Sequence, residues 1–252
     1  MERIICIAAI ALTACRYGFG DVAMTDADTR ITYRAAVLAD QPLGYWRLAD
    51  SDTIAHDETG RTDGIYDPAC QHDTAGALTG DADTATTFDD QCTLDLGDGF
   101  AFTGNAPFTI ELWLATDMIG NTQFVAMKES RGASTPIDGY AIVVNQTNLY
   151  AERIVATNAR DVGVFTLPAT GFMYVAFVYD GSTLLLYGDG IPSNPSDDPR
   201  PLNTYVSPLA ISGLPGYGER VHGSIDEVAV YDHVLTADRI QLHHEIGTLG
   251  PR

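Results

Sequence analysis

Asp226 and Glu227 stand side by side in the run GSIDEVAVYDHVLTADRI, residues 223–240. Two such carboxylates can share acid–base work, hold a metal, or face water. The neighbours narrow the choice. Ile225, Val228, Val230 and Tyr231 give residues 224–231 the composition of a strand. Successive strand residues point to opposite faces, so the two carboxylates are predicted to diverge. Asp226 is expected beside Val228 and Val230 at the core margin, with Glu227 on the sheet surface. A glycosidase needs two carboxylates flanking one bond, about 5–9.5 Å apart, which a divergent pair does not provide. A carboxylate at the core margin must be hydrogen-bonded, paired with a cation such as Arg239, or bound to a metal.

No other group of residues spells out an enzyme. Glu111 in FTIELW is isolated, on the face opposite Phe108, Ile110, Leu112 and Leu114, and Glu152 has only Arg153 beside it. There is no GxSxG elbow, no HExxH pair and no phosphate-cradling GxxxxGK[ST]. His243 and His244 would sit about 100° apart on a helix, which suits surface residues better than a chelating pair. DADTAT at 81–86 alternates acids but lacks the glycine of a calcium loop. Asn145-Gln146-Thr147 fits a glycosylation sequon, expected to stay bare. Tyr66, Tyr150, Tyr205 and Tyr217 lie in or near predicted loops and are candidates to stack on a pyranose; Trp46 and Trp113 fall in strand blocks and read as core.

The elements that must position these residues are mostly strands. Of 252 residues 45% are hydrophobic, enough for a sizeable core, and 24 Gly with 12 Pro favour a loop-rich chain. Phe108–Ala115 alternates with period two, and Asp180-Gly181-Ser182 reads as a hairpin turn. About a dozen short strands follow, over 41–231. One helix closes the sequence, with Thr236 as N-cap, Asp238 in the first turn and Gly247 as the stop. A short helix near 33–38 is also foreseen. The pattern predicts an all-β, two-sheet antiparallel sandwich with one short C-terminal helix.

Charge and the N-terminus bound the partners. The net charge of −20 excludes nucleic acid as a favoured partner and disfavours anionic polysaccharide. Neutral glycans, divalent cations and basic proteins stay compatible. The apolar run Ile4–Leu12 is too short to span a bilayer and has the length of a secretion-signal core. Leu12-Thr13-Ala14-Cys15 resembles a bacterial lipobox, which implies cleavage of 1–14 and acylation of Cys15; an ordinary signal peptide cleaved further on is the alternative. Arg16 after the Cys fits an outer-membrane or cell-surface destination. Residues 15–39 then form a tether, 40–248 the domain and 249–252 a tail. In an oxidising compartment Cys70 and Cys92 are expected to form a disulfide.

PLGYWRLAD, ATTFDD, FTIELWLAT, VAFVYDGSTLLLYGDG and GSIDEVAVYDHVLTADRI occur in this order. Together they resemble the blocks of a bacterial laminin-G-like domain of the concanavalin A-like lectin/glucanase superfamily, over residues 40–248. The resemblance implies a jelly roll with one concave and one convex sheet. It does not define an activity, because the fold hosts lectins, adhesion modules and glycosidases. The ExDxxE-type strand of its glucanases is absent. The resemblance further implies a structural Ca²⁺ beside an Asp of the final strand, here Asp226. Asp57 and Gly60 of the HDETG loop are then the N-terminal partners, with Asp50 a weaker third. The expected function is an exported, non-catalytic module binding carbohydrate or a glycan-bearing surface, with a protein-interaction or adhesion lipoprotein as the first alternative, a glycoside hydrolase of unrecognised type as the second, and membrane contact through a lipid anchor only.

Overall fold

The computed structural model describes residues 30–117, 121–131, 136–214 and 216–252. The signal segment 1–14 and Cys15 lie outside the described residues. In chain order the elements begin with α1 (Tyr33–Ala39), β1 (Gly44–Trp46), β2 (Ile54–Ala55), β3 (Gly64–Tyr66), β4 (Gln71–Ala75), β5 (Thr84–Phe88) and β6 (Leu94–Asp95). Next come β7 (Phe108–Thr116), β8 (Thr122–Glu129), β9 (Gly139–Asn145), β10 (Asn148–Val155) and β11 (Asn158–Thr166). The remainder is β12 (Met173–Tyr179), β13 (Thr183–Gly188), β14 (Ile191–Pro192), β15 (Ser196–Asp197), β16 (Ala210–Ile211), β17 (Gly223–Tyr231) and α2 (Ala237–Leu249).

These strands build two antiparallel sheets. One runs β14-β13-β12-β7-β17-β5-β4, with β1 also on β17 and β15 on β13; the other runs β11-β10-β9-β8-β16-β6-β3-β2. The predicted sandwich is therefore the observed one. Phe108, Ile110, Leu112 and Leu114 of β7 face the inter-sheet core with Ile142, Val144, Val175, Phe177, Val228 and Val230. Trp46 lies in this core and Trp113 in a second cluster, so both tryptophans are interior as expected. Each fully buried Leu, Ile or Val contributes roughly 1.5–3 kcal/mol of transfer free energy.

The two outer faces differ. Both helices lie on the first sheet, where Tyr33 and Val37 of α1 and Ile240 and Ile246 of α2 meet Trp113, Tyr174 and Tyr231. This is the helix-covered sheet. The face of the other sheet carries a smaller cluster of Phe124, Met127, Ala141, Val143, Ala210 and Leu214, with neither helix on it. This is the open sheet.

Local signals explain the ends. Thr32 and Thr236 cap their helices by accepting from Ala35 N and Arg239 N. Asp180 accepts from Ser182 N and Thr183 N, and Gly181 supplies a φ of +101°, which closes the β12–β13 hairpin. The expected stop at Gly247 is corrected: α2 continues to Leu249 and Gly250, at φ +86°, is the C-cap. Gly247 is there for closeness, since a Cβ on it would come within 2.2 Å of the Trp113 ring. Cys70 and Cys92 form the expected disulfide, a cross-link across 22 residues.

Candidate functional site

The carboxylates of the opening motif do not diverge. The β7–β17 ladder shifts register between Asp226 and Ala229, and Glu227 has a φ of +55°. This is a β-bulge, which inserts an extra residue and breaks the two-residue alternation. Asp226 pairs directly opposite Trp113, so it faces the helix-covered side and not the side of Val228 and Val230. Glu227 is fully buried rather than on the sheet surface. It accepts hydrogen bonds from the Tyr45 hydroxyl and from Arg47 Nε at 3.0 Å. Strand alternation does not hold across 226–227, because a bulge leaves no mark in residue types.

The bulge gathers Asp83, Asp226 and Glu227, each offering an oxygen within 4.8 Å of the others. Asp226 Oδ2 accepts from Ala77 N at 2.7 Å, while its Oδ1 is buried with no partner. Arg47 Nη2 lies 2.6 Å from Asp83 and 2.9 Å from both Asp81 and Glu227. One guanidinium therefore faces several carboxylates. Burial, with the charge of Asp83, pushes the Asp226 carboxyl up to about 7. Burial and the charge of Asp226 push Glu227 well above its ordinary range, and burial raises Asp83. An orphaned, fully buried carboxylate oxygen among under-neutralised acids suits a hard cation, which takes six to eight oxygens. Asp83 belongs to the DADTAT run that lacked a calcium-loop glycine; it stands just before β5 and joins Asp226 and Glu227 of β17, so the acids come from two distant segments rather than one loop.

The other expected ligands are elsewhere. Asp57 is outside this group, and its oxygens are occupied by Tyr45 N, Thr59 N, Thr59 Oγ1, Arg61 N and Thr62 N at 2.6–3.0 Å. Burial alone would raise its carboxyl, but these donors hold it below the ordinary range. Gly60 is an exposed turn glycine at φ +70° whose N–H donates to the Asp57 carbonyl. Asp50 accepts weakly, at 3.3 Å, from His56 N. Asp57 organises its own loop and has no lone pairs to spare. Arg239 is paired with Asp40 and not with Asp226.

Glu111 is not isolated, and His243 is not on the surface. Both are fully buried beneath α2. His243 Nδ1 lies 3.0 Å from Glu111 Oε2 and its Nε2 3.0 Å from Asp40 Oδ2. The hydroxyls of Tyr174 and Tyr231 donate to the same Glu111 carboxylate. Burial alone would lower His243, but the carboxylates of Glu111 and Asp40 raise it to about 9. His244 stacks on Trp113, with centroids 6.2 Å apart. Glu111 and His243 are sealed from solvent while Asp40 sits at the partly exposed rim, and the network pins the helices to the sheet.

The four tyrosines separate. Tyr66 is corrected to core: it is 2% exposed and meets His72 edge-on. Tyr205 covers Lys128, the only lysine of the chain, with Nζ 5.5 Å from its ring centroid. Its hydroxyl donates to the Lys128 carbonyl. Tyr217 is 42% exposed and donates to the Arg131 carbonyl. Tyr150 lines a surface hollow, about 320 Å³, with Asn145, Gln146, Asn148, Asp161, Gly163 and Val164. Asn145 of the sequon is exposed at the β9–β10 turn.

Glu152 shares the Tyr150 face, two residues along β10, and stands directly opposite Asp161 on β11. It is therefore not alone with Arg153, whose side chain is buried on the other face against Asp198. Glu129 lies on the same open face one residue row away, across Gly139 and Ala141 of β9. Burial and the charges of Glu129 and Asp161 push the Glu152 carboxyl up to about 7. Glu129 is fully buried and held by Arg131 at 2.8 Å, so no substrate bond reaches both glutamates.

A two-sheet antiparallel sandwich with one covered and one open face defines a jelly-roll domain of the lectin-like class. The chain belongs to the concanavalin A-like lectin/glucanases superfamily, whose family model matches residues 85–241. No curated protein matches it. Among solved structures it is similar to domain 4 of AbnA, an extracellular arabinanase from Geobacillus stearothermophilus in complex with arabinotriose. Identity is 17%, TM-score 0.59, covering 80% of this chain and 97% of that one. It is also similar to the botulinum neurotoxin serotype G binding domain, at 9% identity and TM-score 0.61, covering 81% and 51%. Trypanosoma rangeli sialidase in complex with DANA matches at 13% identity and TM-score 0.59 over 81% of this chain, which spans only 32% of that enzyme. At these identities the likeness is one of fold, and the fold serves hydrolases and binding modules alike.

Proposed function

We propose that the chain is an exported, non-catalytic binding module that takes carbohydrate on its open sheet, anchored through Cys15 and braced by Ca²⁺. The observation that carries this reading is the hollow beside Tyr150: an accessible aromatic ring ringed by the amides of Asn145, Gln146 and Asn148. Aromatic faces stack on the apolar face of a pyranose, and amides both donate to and accept from hydroxyls. Among the described residues the helix-covered sheet offers no comparable platform, since Trp113, Tyr174 and Tyr231 are buried under the helices. Against catalysis stand the buried Glu129 and the sealed Glu111–His243 network.

Asp83, Asp226 and Glu227 would hold the Ca²⁺, and a bound cation would supply the positive charge that Arg47 only partly provides. It would tie β17 to the β4–β5 connection, since Ala77 already hydrogen-bonds Asp226. A glycan array separates the rival readings. Specific signals that vanish in Tyr150→Ala support carbohydrate recognition at the hollow. Silence on the array together with a co-purifying protein points to an adhesion module, and turnover of a polysaccharide would restore the enzyme reading.

A further inference from the structure

The open sheet carries more negative charge than a neutral sugar needs. Glu152 and Asp161 are direct cross-strand partners, and like charges placed so oppose folding. Among the described residues neither carboxylate has a hydrogen-bond or ion-pair partner, and neither does the Tyr150 hydroxyl. The one guanidinium acting on Glu152 is Arg131. It is already committed to Glu129 through Nε at 2.8 Å and lies over the Phe124 ring at 4.9 Å. Behind Glu152, Glu129 is fully buried with its Oε1 unpartnered. Gly139 permits this, since a Cβ there would come within 2.9 Å of Glu129 Cγ. β9 thus offers only Gly139 and Ala141 between the buried Glu129 and the half-buried Glu152, and Asp161 beside Glu152 is exposed.

Resting on the reading of this face as a glycan site, we infer that its ligand is an amino sugar: a pyranose lies on Tyr150 while its ammonium is received between Glu152 and Asp161. A charged donor to a carboxylate is stronger than a neutral one, which favours the ammonium over a hydroxyl at this place. The hollow holds the ring, and the amides of Asn145, Gln146 and Asn148 meet its hydroxyls. A basic peptide would satisfy the acids but leave this aromatic and amide rim unused. Burial first, then the charges of Glu129 and Asp161, raise the Glu152 carboxyl, and an ammonium beside it would favour its charged form.

Isothermal titration at neutral pH with four probes tests the inference: a glucosamine tetramer, its N-acetylated counterpart, cellotetraose and tetralysine. The glucosamine tetramer is expected to bind at least about tenfold more tightly than the two uncharged oligosaccharides, with that advantage lost in Glu152→Gln. Thermal melting checks that this variant stays folded. Equal binding of cellotetraose would overturn the amino-sugar assignment and leave the glycan face standing. Binding of tetralysine alone would overturn the saccharide class. Silence of all four would overturn the inference, and a glycan-array signal lost in Tyr150→Ala would still uphold the face.

Discussion

At the scale of residues, one oxygen distinguishes the two readings of Asp226. As a cap, Asp226 uses Oδ2 alone, on Ala77 N; Oδ1 is buried with no partner, and a cation would occupy it. Ca²⁺ is accordingly expected to raise the melting temperature of the intact protein; a ligand at a hundred times its dissociation constant adds about 2.7 kcal/mol. Asp226→Ala should remove that increment, so the variant loses more stability in Ca²⁺ than in EDTA. Differential scanning calorimetry in both conditions checks this, and equal losses would leave Asp226 a cap. The sequence pointed to Asp226 because an Asp in an apolar strand stands out. It could not show Glu227 turning inward, because a bulge at a non-glycine φ of +55° is set by the ladder and not by residue type. Asp83 was visible only as one of two alternating acids, and the fold alone brings it within reach of β17.

At the scale of elements, α2 is held to its sheet by a buried charge cluster as well as by Ile240 and Ile246. The His243 imidazole is held above its ordinary range, at about 9, so its contribution is complete below about pH 6.5 and is lost as the pH rises through 9. Burial would raise Glu111, but the charge of His243 and the tyrosine donors hold it lower. Its contribution is present above the ordinary carboxylate range and is lost as the pH falls through its depressed value. Hydrogen exchange of 237–249 should therefore be slowest between these limits and quicken first on the alkaline side. His243→Ala leaves Glu111 buried without its cation, and breaking such a pair costs about 3–5 kcal/mol; chemical denaturation measures it. A sequence reading put His243 on the surface because i, i+1 histidines suggest no shared partner. The burial of one face of α2 comes from Gly247 seating the helix against Trp113, a contact that residue spacing does not reveal.

At the scale of the whole molecule, the architecture was the most legible feature. Alternation in Phe108–Thr116, the hairpin at Asp180–Ser182 and the cap at Thr236 are local signals, and each appears in the structure. The asymmetry of the two outer faces was not legible, because it depends on where α1 and α2 pack. Cys70–Cys92 ties the loop before β4 to the connection between β5 and β6. Such a cross-link contributes about 3 kcal/mol, or about 6–12 °C for a chain of this size. Melting of the Cys70→Ser/Cys92→Ser protein should show that drop.

The central claim is that ligand is met on the open sheet while the helix-covered sheet is a sealed brace. Hydrogen–deuterium exchange with and without the glycan selected on an array tests this most directly. New protection is predicted across residues 145–164, around Tyr150 and Asp161, with α1 and α2 unchanged. Protection confined to the helices or to the strands beneath them, with 145–164 unaltered, would contradict the account.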